Sequence, residues 1–175
     1  MEPRIERIQS YVRDILDFPK PGIVFKDWLP LLAQPAAFAD AITLLADPFR
    51  GDRIDQVLAI EARGFLIGIP IAMQLGAGFV PVRKQGKLPY DTYGVTYELE
   101  YGTDTLEMHV DAVFAGQRLL IVDDLLATGG TAAATVQLAR RAEAEVVGCA
   151  FLIELDVLKG RPRLGSERVH TLIHY

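Results

Sequence analysis

Hydrophobic positions along the chain follow two periods in turn, and these periods mark strands and helices. Short continuous apolar runs predict buried strands. These runs are 56–60, 78–82, 118–122, 146–155 and 169–175. Between them, apolar residues at intervals of three and four predict helices. The helical segments are 5–16, 36–49, 65–75 and 131–144. Strands that alternate with helices predict an α/β fold with a mostly parallel central sheet flanked by helices.

One part of the chain departs from this alternation. Residues 83–95 are polar and rich in glycine, proline and tyrosine, which predicts a long loop. The next two runs, 96–101 and 105–110, alternate polar and apolar residues across a Gly-Thr-Asp turn, which predicts a β-hairpin. Pro70 lies inside a helical segment and can delay its start or bend it.

Composition is that of one globular domain over residues 1–175, half apolar and 23% charged. The net charge of −5 argues against a general nucleic-acid binder, because phosphate backbones need a basic face. The single cysteine, Cys149, lies in an apolar run, so neither a disulfide framework nor a zinc site is expected. Residues 64–82 lack charge, but their glycines and prolines favour a buried helix and strand over a membrane span. The charged start, 1–16, does not read as a signal peptide, and we expect a soluble cytoplasmic protein without a membrane partner.

Two adjacent carboxylates, Asp123 and Asp124, interrupt the apolar pattern where the strand 118–122 ends. The carboxyl edge of a parallel sheet is where open α/β folds bind ligands. The segment that follows leads into a helix and consists of Ala127, Thr128, Gly129, Gly130 and Thr131. Its glycines leave backbone N–H groups uncovered, its threonines add hydroxyl donors, and the helix dipole adds positive potential. The segment therefore predicts a phosphate cradle.

The two acids cannot bind the same phosphate, because like charges repel. They suit the diol of a ribose, or a Mg²⁺ ion that the ligand carries. A ribose 5-phosphate combines the two features. No lysine precedes Thr131, so this is not a Walker A loop, and a GxGxxG fingerprint is also absent. The plain structural alternative is a strand, a turn and a helix capped by an aspartate.

Six segments together resemble one enzyme family. The segment VDDLLATGGT, 122–131, resembles the phosphoribosyl-diphosphate-binding signature of the type I phosphoribosyltransferases. Five further segments stand in the order and spacing of the adenine-using branch of that family: FPKPGIVFKD, EARGF, RKQGKLP, YELEYG and ELDVLKGR. The resemblance covers nearly the whole chain. It implies the type I fold, with a small N-terminal hood at 1–30 and a flexible lid loop and hairpin at 83–110.

The resemblance also implies a reaction and its partners. The expected reaction joins adenine and 5-phosphoribosyl 1-diphosphate into AMP and diphosphate, a step of purine salvage. Mg²⁺ is expected through the diphosphate and ribose of the substrate and not in a metal site of the protein. A homodimer is expected, in which Arg83 can approach the neighbouring subunit's site, and no nucleic-acid partner is expected.

Arg63 follows the strand 56–60 and so lies at the predicted ligand edge. A guanidinium group there can hold a diphosphate with two hydrogen bonds, and the resemblance matches Arg63 to an arginine that binds diphosphate. From the residues alone, a surface salt bridge explains Arg63 equally well. The resemblance further implies a non-proline cis peptide bond at Glu61–Ala62.

Basic and acidic residues of the predicted lid are the next candidates. Arg83, Lys84 and Lys87 suit a mobile loop that covers the departing diphosphate and excludes water, although a solvated cluster is the alternative. The resemblance matches Glu100 to a glutamate proposed to handle the proton on N7 of the base. It matches Tyr101 to a residue that helps to close the lid. The alternative for Glu100 is an exposed glutamate on a two-stranded ribbon.

The candidate adenine site is the segment 22–27. Phe25, between Val24 and Lys26, can stack on a purine while backbone groups read its edge, and by resemblance Leu125 lies on the opposite face. The alternative is a core phenylalanine. Many relatives carry arginine where this chain has Lys26, which matters only if the side chain makes the contact. Packing or surface positions are assigned to Trp28, His109, His170 and His174.

The residues expected to carry catalysis are Glu100, Arg63, Asp123 and Asp124. Two other functions stay open. The same fold can use another purine base, such as xanthine or hypoxanthine, because a few hood contacts decide the base. A regulator that senses the same ligands without catalysis would need a basic patch or a nucleic-acid-binding region and would lack the lid acid, whereas this acidic chain keeps Glu100.

Overall fold

The computed structural model of the protein describes residues 2–98 and 102–175. The chain divides into two compact units between Leu44 and Leu45. Among the described residues, no helix has both the length and the apolar character needed to cross a bilayer.

The first unit contains a helix, a two-stranded antiparallel hairpin and the start of a second helix. The bounds are α1 Pro3–Gln9, β1 Arg13–Leu16, β2 Val24–Asp27 and α2 Pro35–Ala46. A short 3₁₀ turn, Leu29–Ala33, precedes α2. Trp28 and Leu31 are among the fully buried side chains of this unit.

The prediction of one helix over residues 5–16 is wrong. Helix α1 ends at Gln9, and the residues after it form β1. Strand β1 pairs with β2, and the guanidinium group of Arg13 contacts the carboxylate of Asp27 across the hairpin at 2.7 Å. Pairing with a strand that lies further along the chain therefore overrides the helical period.

The second unit is built on a sheet of seven strands among the described residues. Their bounds are β3 Gln56–Ile60, β4 Gly78–Lys84, β5 Thr92–Glu98, β6 Thr103–His109, β7 Arg118–Leu126, β8 Glu145–Glu154 and β9 Val169–His174. The order across the sheet is β5-β6-β4-β3-β7-β8-β9. Strands β4, β3, β7, β8 and β9 run parallel, and the β5–β6 hairpin joins β4 in antiparallel fashion at one edge. With helices α3 Arg63–Leu75 and α4 Gly130–Arg141, this confirms the predicted α/β fold.

The core of the second unit lies on the central strands. Continuous buried stretches run over residues 57–60 of β3, 119–122 of β7 and 148–154 of β8. Helix α4 packs on this core through side chains that include Val136 and Leu138. Strands covered by helices are buried on both faces, which is why they appear in the sequence as unbroken apolar runs.

The predicted loop 83–95 is shorter in the structure. Strand β4 includes Arg83 and Lys84, and β5 begins at Thr92, so the connection covers residues 85–91. Backbone pairing with β6 extends β4 through polar residues that the apolar pattern cannot mark. The predicted hairpin itself is confirmed.

Strand β7 also runs further than the apolar run that predicted it. Asp123 and Asp124 lie within β7, which continues to Leu126. Strand β8 pairs with β7 over this whole length, whereas the pairing of β3 with β7 stops at Val122. The two acids therefore extend past the end of their neighbour β3, at the carboxyl edge of the sheet.

Candidate active site

Residues 127–131, the phosphate loop, connect β7 to α4 at the carboxyl edge of the sheet. They lie around a small pocket of about 60 Å³, whose walls are Asp123 and residues 125–132. Helix α4 begins at Gly130, so its first unpaired N–H groups and the positive end of its dipole lie at this pocket. The structure therefore brings the predicted loop residues together at a helix start, and their role in binding phosphate stays a prediction.

Two glycines fix the path of the phosphate loop. Gly129 has a φ of 80°, in the left-handed region that favours glycine. A Cβ atom on Gly129 would lie 2.4 Å from the carbonyl oxygen of Gly160, and a Cβ atom on Gly160 would lie 2.3 Å from that of Ala127. The two backbones are therefore packed directly on each other. Sequence analysis assigned no role to Gly160, although it lies in the segment ELDVLKGR that carried part of the resemblance.

A larger cavity of about 340 Å³ adjoins this pocket, and both are lined by Asp123, Leu125, Ala127 and Thr131. The predicted site residues Arg63, Lys84 and Asp124 also line the larger cavity. The carboxyl ends of β3, β4 and β7 bring these groups to one edge of the sheet, as the prediction required.

The two aspartates of β7 differ in their surroundings. Asp124 is 4% exposed, and its Oδ2 atom lies 2.7 Å from Nε of Arg63. Asp123 is half-buried, and its Oδ1 atom accepts a hydrogen bond of 2.9 Å from the backbone N–H of Asp124. Burial, followed by repulsion from Asp124, raises the pKa of the Asp123 carboxyl well above its usual range. The site thus holds two adjacent carboxylates that repel each other, and Arg63 lies against one of them.

The segment after β3 contains the predicted cis peptide bond, at Glu61–Ala62. The carboxylate of Glu61 accepts a hydrogen bond of 2.7 Å from Nε of Arg83, and Nη1 of Arg83 donates to the carbonyl oxygen of Lys87 at 3.2 Å. Arg83 therefore joins the turn 85–91 to the segment after β3. The ammonium group of Lys87 itself is not part of this arrangement, and its residue is exposed.

The turn after β4 is also held from the other side. The carboxylate of Glu107, on β6, is 9% exposed and accepts a hydrogen bond of 2.9 Å from the backbone N–H of Gly86. The contacts from Arg83 and Glu107 therefore hold the backbone of the turn 85–91 from two sides.

Tyr97 and Asp104 line the larger cavity and were missed by sequence analysis. They face each other across the β5–β6 hairpin. The carboxylate of Asp104 lies 3.0 Å from Nζ of Lys84, and the Tyr97 hydroxyl lies near both Asp104 and Thr131. The hydrogen bond with Asp104 raises the pKa of Lys84. The predicted hairpin was the sequence feature that could have identified them, because directly paired residues lie on the same face of a hairpin.

The predicted adenine hood lies in the first unit, on β2. The ring of Phe25 is half-buried and meets the ring of Phe18 edge-on at 5.2 Å, and Nζ of Lys26 lies 2.7 Å from the carboxylate of Asp14. Val24 is exposed. The remaining predicted residues of the lid, Glu100 and Tyr101, lie outside the described residues.

The aromatic residues without predicted function take part in packing. Trp28 is buried, the ring of His109 lies 6.1 Å from that of Tyr90, and the ring of His170 lies 6.4 Å from that of Phe49. These contacts agree with the assignment of packing or surface roles.

The phosphoribosyl transferase domain family matches residues 27–170 of this chain. The chain is 54% identical to the adenine phosphoribosyltransferase of Rhodopirellula baltica over 168 residues, which are 96% of this chain and 82% of the relative. It is 53% identical to that of Methylococcus capsulatus over 171 residues, which are 98% of this chain and 100% of the relative.

Solved structures agree with the sequence relatives. The adenine phosphoribosyltransferase of Rhodothermus marinus superposes with a TM-score of 0.94 at 53% identity, over 98% of each chain. The enzyme of Saccharomyces cerevisiae, solved with an imino-altritol bisphosphate and adenine, gives 0.93 at 41% identity, over 98% of this chain and 99% of its own. These findings confirm the predicted family and its fold. The chain therefore belongs to the adenine phosphoribosyltransferases, transferases that convert adenine and 5-phosphoribosyl 1-diphosphate to AMP and diphosphate.

Proposed function

We propose that the two adjoining pockets bind the phosphoribosyl donor along its length. The 5-phosphate lies in the phosphate loop, and the ribose hydroxyls lie on the carboxylates of Asp123 and Asp124. The diphosphate extends through the larger cavity toward Arg63, Lys84 and Lys87. The observation that carries this assignment is the wall shared by the two pockets, which joins a helix N-terminus to an acidic pair.

Charge complementarity supports this direction of binding. The start of α4 favours an anion, because unpaired N–H groups and the helix dipole both present positive potential. The acidic pair repels phosphate but accepts hydrogen bonds from hydroxyl groups. Reversing the donor would place the larger diphosphate in the pocket of about 60 Å³ and leave Arg63 and Lys84 to the single 5-phosphate.

Arg63 neutralises Asp124 and contributes to the diphosphate site. A guanidinium group carries five N–H donors in a planar fork, so one arginine can bridge a carboxylate and a diphosphate oxygen. Lys84 supplies a second positive charge from the neighbouring strand end.

Catalysis in this arrangement needs no nucleophile from the protein. Adenine attacks the anomeric carbon while the bond to diphosphate breaks, through a transition state of oxocarbenium character. The chain holds the two reactants in line and stabilises the charge that develops on diphosphate. Glu100 handles the proton on N7, and Tyr101 and the lid at 83–110 close over the site and exclude water.

The acidic pair also suits the Mg²⁺ ion expected with the donor. Burial and mutual repulsion raise the pKa of Asp123, so a cation beside the pair would relieve an existing electrostatic cost. Asp123 and Asp124 would hold the ion through the ribose hydroxyls and water, consistent with the preference of Mg²⁺ for oxygen ligands. When bound, the ion neutralises charge on the departing diphosphate.

For adenine we propose the hood of Val24, Phe25 and Lys26, with Leu125 on the opposite face. Phe25 is half-buried, so part of its ring is accessible for stacking. The ion pair of Lys26 with Asp14 leaves the adenine contact at this position to the backbone.

A homodimer and a cytoplasmic location complete the proposal. Helix α3 exposes Leu66, Ile69 and Met73, three apolar side chains on one face that an interface would bury. The single cysteine, Cys149, is buried and needs no oxidising compartment.

A panel of bases tests the proposed function. With the phosphoribosyl donor and Mg²⁺, kcat/KM for adenine should exceed that for hypoxanthine, xanthine and guanine by about 10⁴-fold, since unpaired polar groups reject a wrong base strongly. Phe25→Leu should raise the adenine KM by up to about 10-fold and leave the donor KM unchanged, because a stacking contact contributes about 0.5–1.5 kcal/mol. A better acceptor than adenine, or a changed donor KM alone, would contradict the assignment of the hood.

A further inference from the structure

We propose that Arg161 is a positioning residue for the donor phosphate, because its ion pair with Glu154 holds Gly160 against the back of the phosphate loop. This inference rests on the proposed role of that loop. It concerns residues that contact neither donor nor adenine in the proposed arrangement.

The contact between Gly160 and the phosphate loop is made by backbone atoms on both sides. A Cβ atom on Gly160 would lie 2.3 Å from the carbonyl oxygen of Ala127 and 3.1 Å from the amide nitrogen of Gly129. No side chain fits between the two segments. A displacement of Gly160 therefore changes the support of two residues whose peptide groups form the pocket wall.

Arg161 is tied to two strands by its guanidinium group. Its Nε atom donates to Glu154 Oε1 at 2.8 Å, and its Nη2 atom lies 2.7 Å from Oε2. Nη1 donates to the carbonyl oxygen of Val169 at 3.1 Å, and Nη2 donates to Oγ1 of Thr171 at 2.9 Å. Only the planar fork of arginine can make this set of contacts at once.

Glu154 stands beside the start of the phosphate loop. It pairs in register with Leu126, the last residue of β7, and the N–H of Leu155 donates to the carbonyl oxygen of Leu126 at 3.0 Å. Its carboxylate is buried, since the residue is 4% exposed. The ion pair of Arg161 with Glu154 therefore connects the backbone next to Gly160 to the strand end that adjoins the loop.

Loss of Arg161 should loosen this support without unfolding the segment. Leu164, three residues later, is 3% exposed and belongs to the main core, so it still anchors the segment. The expected consequence is a shift of the loop amides. A displacement near 1 Å at a binding group costs up to about 10²-fold in activity.

The test is Arg161→Lys, which keeps the charge but cannot bridge all four contacts. The KM for the donor and the Kd for ribose 5-phosphate, measured by calorimetry, should each rise about 10-fold, while the KM for adenine stays within about 2-fold. Glu154→Gln should give the same pattern with a smaller rise. It provides a second variant if Arg161→Lys does not fold.

Arg168→Lys is the matched control. Arg168 also forms an ion pair, with Asp52 at 2.7 Å, but it precedes β9 and so lies at the amino edge of the parallel strands. This variant should leave the donor KM and the ribose 5-phosphate Kd unchanged. Equal shifts in both arginine variants would show general loosening of the fold and would overturn the inference.

Thr131→Ala separates failure of this inference from failure of the proposed function. It should weaken ribose 5-phosphate binding directly, because its hydroxyl lies in the loop. If Thr131→Ala weakens binding and both Arg161→Lys and Glu154→Gln do not, the inference on Arg161 is wrong and the loop assignment stands. If the unsubstituted chain does not bind ribose 5-phosphate, both are wrong.

Discussion

Two aspartates line the same cavity, and their surroundings shift their pKa values in opposite directions. Burial and the adjacent Asp124 raise the pKa of Asp123. Burial alone would also raise the pKa of Asp104, but hydrogen bonds from Lys84 and from the backbone of Thr105 lower it on balance. A ligand or a cation beside Asp123 would therefore stabilise its ionised form, whereas ionised Asp104 is already stabilised by Lys84.

Asp123→Asn should stabilise the free protein and reduce its activity. The native pKa of Asp123 lies above that of the unfolded chain, so ionised Asp123 disfavours folding more as pH rises through the native pKa. The amide is neutral throughout. The free energy of unfolding, from urea denaturation without ligand or Mg²⁺, should exceed that of the parent at about pH 8, and the difference should shrink toward about pH 5. Loss of a ribose contact should lower kcat/KM by about 10²-fold.

Asp104→Asn is the control, for which the expected change in the free energy of unfolding has the opposite sign. Because its native pKa is lowered, Asp104 stabilises the fold above the unfolded pKa, and this contribution is lost as pH falls through the native pKa. The variant should be less stable than the parent at about pH 8 and equal to it in acid. A difference for Asp123→Asn that is destabilising, or independent of pH, would contradict the description of the acidic pair.

At the scale of elements, the β5–β6 hairpin is tied to the phosphate loop through Tyr97. The Tyr97 hydroxyl lies close enough to Thr131 in the loop and to Asp104 on the partner strand to affect the pKa values of Tyr97 and Asp104. Helix α4 also packs along β5, and Nη1 of Arg141 donates to the carbonyl oxygen of Gly94. The hairpin and the phosphate loop are therefore expected to move together when the donor binds.

Tyr97→Phe should uncouple these two elements while preserving the packing of the ring. The expected result is a fall in kcat of about 10-fold and more hydrolysis of the donor when adenine is absent, because a loosened hairpin admits water. Steady-state kinetics and diphosphate release without adenine measure these effects. Tyr93→Phe is the control and should leave both unchanged, because Tyr93 packs against the same core from the same strand but is not among the residues that line the cavity. If Tyr97→Phe hydrolyses the donor at the rate of the parent protein and keeps its kcat, the hairpin and the phosphate loop are not coupled through Tyr97.

At the scale of the whole molecule, the proposed donor site is assembled from strand ends that are distant in sequence. Arg63 follows β3, Lys84 ends β4, Asp123 and Asp124 lie near the end of β7, and Gly160 follows β8. Parallel strands place all of these ends at one edge of the sheet. The sheet therefore brings together residues that no single segment of the chain contains.

This topology explains how much could be predicted from the sequence. Buried strands such as β3 and the loop at 127–131 have local signatures, so the α/β fold and the position of a candidate phosphate site could be inferred from pattern and spacing. Strand β1 could not, because its partner β2 lies further along the chain and its own residues also fit a helical period. Gly160 could not either, because its role depends on backbone contact with a segment about thirty residues away.

The most direct test is a crystal structure of the protein with AMP. The account predicts phosphate oxygens within about 3 Å of the backbone nitrogens of residues 128–131, with the ribose hydroxyls on the carboxylates of Asp123 and Asp124. A phosphate bound instead beside Arg63 and Lys84, with the two aspartates turned away from the ribose, would contradict it.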